Sequence, residues 1–450
     1  MIKKIWHKIQ NLEGDKVILI IVLLLILMSI LAIFSSTPLL PSQESRLATM
    51  KDHGFIVVAG IGVMILLYNF KIDWIKWCSQ IGFVLSAVLL ILLLAKADLG
   101  FMKVETRNAA TRNFVIAGKQ IHVFEIVKVS MVMYLAWALN AIREDKAARK
   151  EGRKSDTLWL ANKIASKYPK MNFLAKTYWK RILYVYIPAL AITMMVFFGS
   201  GSSGVLVGLS LVALMIIGGI PTKEFALAAA IGIVALTGMF SLYFISDGKI
   251  FRRAGTIVNR TQANYDMNRL DSLKGDDFYN MLDTLRQPVS AKIAVHEGGL
   301  IGKGIGNSTQ KYKVDNIYGD YMYSFLIEEY GLLIGGILIL ILYVSLLARS
   351  SIIARMCENE LAKFAIGGLS ILITGQAFMH ILVNVDIGPM TGQTLPLISH
   401  GASAFLVFCV AFGIILSISR LAKKKIQSVE EMTAASANDI EANIEAAEKL

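Results

Sequence analysis

The chain has 450 residues, of which 55% are hydrophobic and 18% charged, and its formal net charge is +13. A water-soluble domain carries about 25% charged residues and a soluble chain this long would divide into two or three cores, so composition argues for membrane insertion and against a soluble enzyme. The basic residues lie in loops between apolar runs, which argues against a nucleic-acid partner, and Cys78, Cys357 and Cys409 sit in or beside those runs without metal-ligand spacing.

A basic start (Lys3, Lys4, Lys8, Lys16) precedes the first apolar run, Val17 to Phe34. That run is longer than the apolar core of a signal peptide and is read as a retained helix. The pattern predicts spans at 17–35, 54–70, 78–95, 124–142, 181–199, 203–220, 223–246, 321–347, 360–384 and 401–420. Each is a run of about 20 apolar residues, long enough for a hydrocarbon core of roughly 30 Å. Each is expected to be helical, because a lone segment in lipid must satisfy its own backbone. The expected fold is an all-α polytopic membrane protein of about ten transmembrane helices, with an N-terminus at 1–16, a membrane domain at 17–420 and a tail at 421–450.

With the N-terminus inside, the inner segments hold 24 Lys and Arg and the short outer loops hold 7. The bias toward the cytoplasmic side places both termini in the cytoplasm. The basic loop 143–180 then faces the cytoplasm, as a topology anchor on anionic lipids or as a protein-docking segment. The large loop 247–320, with Arg252, Arg253, Tyr265, Phe278 and Tyr279, is extracytoplasmic. Its length predicts a folded, functional loop. The tail turns acidic and Ala-rich, as a short amphipathic helix. No internal repeat, phosphate-binding Walker loop, dinucleotide fingerprint or paired Cys motif occurs.

Four constellations carry polar chemistry. Glu125 and Lys128, at the outer end of the fourth span, are spaced i, i+3 on one helix face. Ionisable groups within a span face a cavity or a partner, so this pair is either a salt bridge between helices or part of a pocket for a charged lipid head group. The run from Gly298 to Ser308 has glycines that could shape an anion-binding nest, and by composition it reads equally as a flexible loop. Asp320 ends the long loop where an apolar helix begins. It is either a helix cap, or a general base at the membrane surface. Glu328 and Glu329 follow on the same helix and are expected to meet partners inside the bundle. The last constellation, 389–403, includes Thr394, Pro396, Ser399, His400 and Ser403 and cannot be helical throughout. Such backbone is tolerated at depth where it lines a cavity or is buried in protein. His400 reads as a group titrating near neutrality or as a hydrogen-bonded structural residue.

Together these stretches resemble the SEDS family of peptidoglycan polymerases (FtsW, RodA, SpoVE). Arg112-Asn113-Phe114 and Ile121 to Lys128 are similar to the family's R-W-I and I-Q-P-S-E-x-x-K, with His122, Val123 and Phe124 in place of Q-P-S. Gly298 to Lys311 resembles G-G-x-x-G-x-G-x-G-N-S-x-Q-K, and Asp320 to Gly331 resembles the family's acidic segment ending in E-E-x-G. Pro389 to Ser403 resembles P-x-x-G-x-x-L-P-x-(I/V)-S-Y-G-G-S-S, with His400 and Ala402 replacing Tyr and Gly; His380 falls where the family has Asn. The segment Thr391 to Pro396 is more similar to the division branch, FtsW, than to RodA.

The resemblance implies a ten-helix glycosyltransferase that polymerises lipid II, from an undecaprenyl pyrophosphate-linked glycan, on the outer face of the bacterial inner membrane. It implies a class B penicillin-binding transpeptidase and divisome proteins as partners at the septum, alongside membrane lipids. Asp320 is then expected to be the general base toward the GlcNAc hydroxyl. Lys128 and Arg112, with Arg252 and Arg253, are expected around the leaving pyrophosphate. Glu125 would orient Lys128 or hold a divalent cation, Mg or Mn; no protein metal site is assigned. Gly299, Lys303, Asn307, Ser308, Thr394, Pro396, Ser399, His400 and Ser403 are the further substrate-binding candidates. The rival readings are a lipid II flippase, a RodA-type elongation polymerase and a non-catalytic division scaffold.

Overall fold

Every predicted span is occupied by a helix in the computed structural model. It describes residues 13–36, 46–97, 102–107, 110–116, 119–153, 157–246, 285–314, 317–388 and 390–422, together with 255, 275, 277, 279, 281 and 282. Arg252 and Arg253, Pro389, most of the loop 247–284 and the tail 423–450 lie outside the described residues, as does the side chain of Arg112.

Three helices come first: α1 (Lys16–Ser36), α2 (Arg46–Tyr68) and α3 (Ile72–Leu94). The loop after α3 folds into a small antiparallel sheet of β1 (Met102–Arg107), β2 (Ala110–Ile116) and β3 (Lys119–His122), in the order β1-β2-β3. A bulge between Glu105 and Thr106 interrupts the first pairing, and Asn113 pairs with His122 in the second. The sheet runs directly into α4 (Val123–Lys150), followed by the short α5 (Trp159–Lys167), α6 (Thr177–Gly199), α7 (Gly201–Ile217) and α8 (Thr222–Ile245). After α9 (Arg286–Gly298), the chain continues through α10 (Met322–Gly331) and α11, which opens with a π-helical turn, Leu332–Leu338, and continues as Ile339–Met356. The last two helices are α12 (Glu360–Asn384) and α13 (Ala402–Ala422).

Among the described residues, eight helical stretches are long and apolar enough to cross a membrane, with α10 and α11 counted as one; α7 is a shorter apolar helix, and α8 fills the remaining predicted position. The sheet is an addition to an otherwise helical molecule. Helix α4 is the interior one, buried along nearly all of Val123 to Ile142 and packed against α3, α7 and α12. Where α4 ends, the buried Lys180 of α6 donates to Asp145 (2.7 Å) and to Asn162 of α5 (2.6 Å), tying three elements together. At the same end of the bundle, Arg349 of α11 pairs with Asp15 just before α1 (2.9 Å).

The predicted span 321–347 is not one helix. It breaks at Gly331, which has φ 78° and ψ 171°, conformations that disfavour any residue with a Cβ. A break inside a bundle leaves carbonyls without partners on one side and N–H groups on the other. The Gly-rich turn after α9 supplies both. Lys303 and Gly304 donate their N–H groups to the carbonyls of Glu328 (2.8 Å) and Glu329 (3.0 Å), while Leu332 and Leu333 donate to the carbonyls of Gly299 (2.9 Å) and Leu300 (3.3 Å). Contact is backbone to backbone: a Cβ on Gly302 would lie 2.4 Å from the nitrogen of Gly331.

Candidate functional site

Three groups of polar side chains meet on this frame. The first surrounds Lys128, which is 1% exposed in the first turns of α4. An ammonium has three N–H donors, and here they reach Glu125 (2.6 Å), Gln376 of α12 and Gln393 of the 390–401 segment (3.1 Å). The amides pass the network on. Gln376 donates to the carbonyl and hydroxyl of Thr394 (3.0 and 3.2 Å), and Gln393 donates to Ser203 (2.9 Å) and Ser202 (3.2 Å) at the start of α7. Glu125 Oε2 is buried without a hydrogen-bond partner among the described residues.

The second group holds Asp320. Tyr321 occupies the position before α10 and gives no side-chain cap, so Asp320 lies two residues before the helix, exposed. The free N–H groups of the first helical turn are capped from α12 instead. Tyr323 donates to His380 Nε2 (3.3 Å) and Ser324 to Asn384 Oδ1 (3.0 Å). His380 Nδ1 meets the Gln393 carbonyl at 2.7 Å, so one tautomer, protonated on Nδ1, satisfies both contacts. The backbone around Asp320 is bonded from several directions. Asn384 Nδ2 donates to the Asp320 carbonyl (3.2 Å), Ser399 Oγ to the Gly319 carbonyl (2.8 Å), and the His400 N–H to the Tyr318 carbonyl (2.8 Å). Pro396, two residues past Thr394, accepts from the Tyr343 hydroxyl of α11 through its carbonyl. Ser403 accepts the N–H of His122 (3.0 Å), joining α13 to the sheet.

The third group is the clamp at the helix break. Glu328 is buried, and Lys303 Nζ (2.9 Å), the Thr309 N–H (2.8 Å) and hydroxyl (3.0 Å), and Ser308 Oγ all donate to it. Glu329, also buried, accepts from Ser35 of α1 (2.6 Å) and the Gly306 N–H (3.1 Å), with Lys311 at 3.7 Å. Lys303 also pairs with Glu297, and Asn307 donates to the Lys303 carbonyl (3.0 Å). The anion in the glycine nest is therefore the protein's own carboxylate. Partial desolvation opposes the charge on Lys303, but the hydrogen bonds to Glu297 and Glu328 hold its ammonium above the usual lysine range. The Lys303 hydrogen bond holds Glu297 below the usual carboxylate range.

The expected residues thus divide. Glu125, Lys128 and Thr394 form one network; Ser399 and His400 flank the backbone beside Asp320; Gly299, Lys303, Asn307 and Ser308 build the clamp. Gln376, His380, Asn384, Gln393, Ser202 and Ser203 complete the first two groups and were not among the sequence candidates. A signal for three of them was present: Gln376, His380 and Asn384 recur at i, i+4 and i+8, a polar stripe on one face of an apolar helix. Among the described residues no group of three His, Cys, Asp or Glu is placed to hold a metal. Glu125 offers one uncommitted oxygen beside an ammonium, whereas Mg²⁺ takes about six oxygens. These donors do not fit a resident divalent ion.

The apolar helices define a polytopic membrane protein, and the buried polar core, the broken helix and the exposed carboxylate at its head mark the candidate site. The chain belongs to the FtsW/RodA/SpoVE family of cell cycle proteins, whose model matches residues 15–424. It is 27% identical over 370 residues to a probable peptidoglycan glycosyltransferase FtsW of Marinobacter nauticus, covering 81% of this chain and 78% of that one. It is 24% identical over 423 residues to the stage V sporulation protein E of Bacillus subtilis, covering 92% and 99%. Among solved structures, the rod shape determining protein RodA of Thermus thermophilus superposes with a TM-score of 0.53 at 18% identity, covering 91% of this chain and 98% of that one. A chain from a peptidoglycan synthase complex that coordinates polymerization and crosslinking superposes at 0.57, also at 18% identity, covering 90% and 98%. These likenesses show the fold.

Proposed function

We propose that the chain is a peptidoglycan glycosyltransferase that extends glycan strands from lipid II, with Asp320 as its general base. The observation that carries this reading is the placement of Asp320. It is an exposed carboxylate on a backbone bonded from α12 and from the 390–401 segment, in a chain whose relatives include a probable peptidoglycan glycosyltransferase.

In the proposed step the Asp320 carboxylate takes the proton of the acceptor GlcNAc 4-hydroxyl. The oxygen forms a bond to the anomeric carbon of the donor strand, and the bond from that carbon to the pyrophosphate breaks. Undecaprenyl pyrophosphate leaves with the electron pair. General-base help of this kind is worth about 10²–10⁴-fold. Lys128, with all three donors engaged, acts as an organiser: it orients Gln393, whose carbonyl orients His380, which caps the helix behind Asp320. Arg112, Arg252 and Arg253 are the proposed cations around the leaving pyrophosphate. The site faces the outside of the inner membrane, with both termini in the cytoplasm. The FtsW-like segment from Thr391 to Pro396 supports a septal role beside a class B penicillin-binding transpeptidase.

The test supplies the purified protein with labelled lipid II and a partner transpeptidase. Glycan ladders are expected from the native chain, and Asp320→Asn is expected to lose them by about 10²–10⁴-fold while eluting as a folded protein. Ladders of full length from the variant would sink the proposal. Lipid II scrambling across vesicles without any ladders would favour a flippase, and partner binding with neither activity would favour a scaffold.

A further inference from the structure

The tip of the Gly-rich turn is apolar and open. Leu300, Ile301 and Ile305 are 63%, 84% and 58% exposed, and the α11 face to which the turn is bonded also exposes Leu333, Ile334, Ile337 and Ile341. Much of the turn's polar backbone, in contrast, is bonded inward. The N–H groups of Gly302, Lys303 and Gly304 reach the carbonyls of Gly298, Glu328 and Glu329; the Gly306 N–H reaches Ser35 Oγ (3.0 Å); the carbonyls of Gly299 and Leu300 accept from α11. A turn in water has no need of internal partners for its backbone, whereas backbone in hydrocarbon must have them.

Depth follows from the helix itself. Arg349, paired with Asp15 beside the start of α1, marks one end of the bundle. Leu332 lies 17 residues before it on α11, which at 1.5 Å per α-helical residue, and less in the opening π turn, is at most about 26 Å. A hydrocarbon core is roughly 30 Å thick, so with Arg349 at one interface the head of α11, and the turn bonded to it, falls within the far edge of the hydrocarbon.

We propose that the turn Gly298 to Gly306 dips into the membrane, with Leu300, Ile301 and Ile305 among the acyl chains of bulk bilayer lipid. They continue the open face that α11 turns to lipid. Glu297 and Lys303 then sit at the head-group level, and the turn anchors the broken helix to the leaflet. This inference concerns depth and does not depend on the proposed activity.

The test uses the full chain with Cys78→Ser, which removes the exposed native thiol. Spin labels are placed one at a time through Ile301→Cys and Ile305→Cys and read in vesicles of phosphatidylethanolamine and phosphatidylglycerol. Both side chains are exposed, so the replacements remove no buried packing. Accessibility to oxygen relative to a water-soluble nickel chelate should match that of Ile341→Cys on α11 and exceed that of Lys313→Cys several-fold. Values equal to those of Lys313→Cys would overturn the proposal. In a second arm, a phospholipid with a photoreactive acyl chain should label the turn equally with and without excess undecaprenyl phosphate. Loss of labelling on adding the polyprenyl lipid would overturn bulk lipid as the occupant and mark the turn as a site for the substrate's tail.

Discussion

The two buried charge clusters are built on opposite plans. Around Lys128 a single cation is met by one carboxylate and two amides, and every ligand is a side chain from α4, α12 or the 390–401 segment. Around Glu328 and Glu329 two carboxylates are met by backbone N–H groups, hydroxyls and lysines, almost all from one stretch of chain, residues 297–311. The first cluster forms when distant helices dock; the second is a local module that reshapes backbone. Asp320 lies between them, at the head of a ten-residue helix held by α12 at one end and by the clamp at the other. Both clusters are buried and tied into the bundle by hydrogen bonds, though Glu125 and Glu329 each keep one oxygen without a partner among the described residues, whereas Asp320 is exposed.

The contrast can be broken at each end. The largest effect belongs to Asp320→Asn, whose loss of polymerisation should come without loss of stability; a variant that instead melts early would make Asp320 structural. Next is Lys128→Met. Removing one partner of a buried ion pair costs about 3–5 kcal/mol, so this variant should unfold well below the native protein in detergent, followed by fluorescence-detected size exclusion. An unchanged melting midpoint would mean that the cluster is open to water. Asn384→Leu should spare the clamp but free the first turn of α10. Small misplacements of catalytic groups cost up to about 10²-fold, so the turnover of lipid II should fall by a comparable factor with little change in half-saturation. An equal rise in half-saturation would place Asn384 on the substrate instead. Glu328→Gln should cost less, about 1–3 kcal/mol, because the amide keeps one acceptor oxygen but turns its NH2 toward the donors of either Ser308 or Thr309. A neutral result would show that Lys303 and Glu297 hold the turn without it.

The apolar spans were legible because a hydrocarbon core demands about 20 apolar residues per crossing, and nothing in the interior competes with that rule. The pairing of Glu125 with Lys128 was legible from spacing, and the structure adds the neutral amides that share the ammonium. The clamp was not. Glycines that let backbone approach a ligand are the same glycines that let it approach another stretch of backbone, and composition does not distinguish the two. Nor did the apolar run after Tyr330 announce a break, because Leu332 to Leu342 would suit an unbroken helix; the break follows from Gly331 and from the turn that fills it. The sheet before α4 leaves no comparable signal, its strands being too short and too mixed in polarity to register beside ten apolar runs. Asn384 and His380 could have been read from their spacing with Gln376, but their task, capping α10 from a different helix, depends on tertiary contact.

The smallest expected effect concerns His400, which lies outside both clusters yet donates its N–H to the loop that carries Asp320. Burial pushes its imidazole below the ordinary value of 6.5, against an opposing pull from Asp52, and its Nδ1 has no hydrogen-bond partner among the described residues. The folded chain therefore binds fewer protons here than the unfolded chain. The stability this confers is complete above pH 6.5 and is lost as the pH falls through the folded value. Melting midpoints between pH 7.5 and about 4.5, a window spanning the ordinary histidine range, should thus fall more steeply for the native protein than for His400→Gln. His53, whose ring lies 5.7 Å away and whose Nε2 meets Ser29 at 3.0 Å, interacts with His400, so both curves are recorded with His53→Gln in place. Parallel curves would show that the imidazole gains a proton as readily in the fold as outside it, and that the loop bearing Asp320 is indifferent to acid.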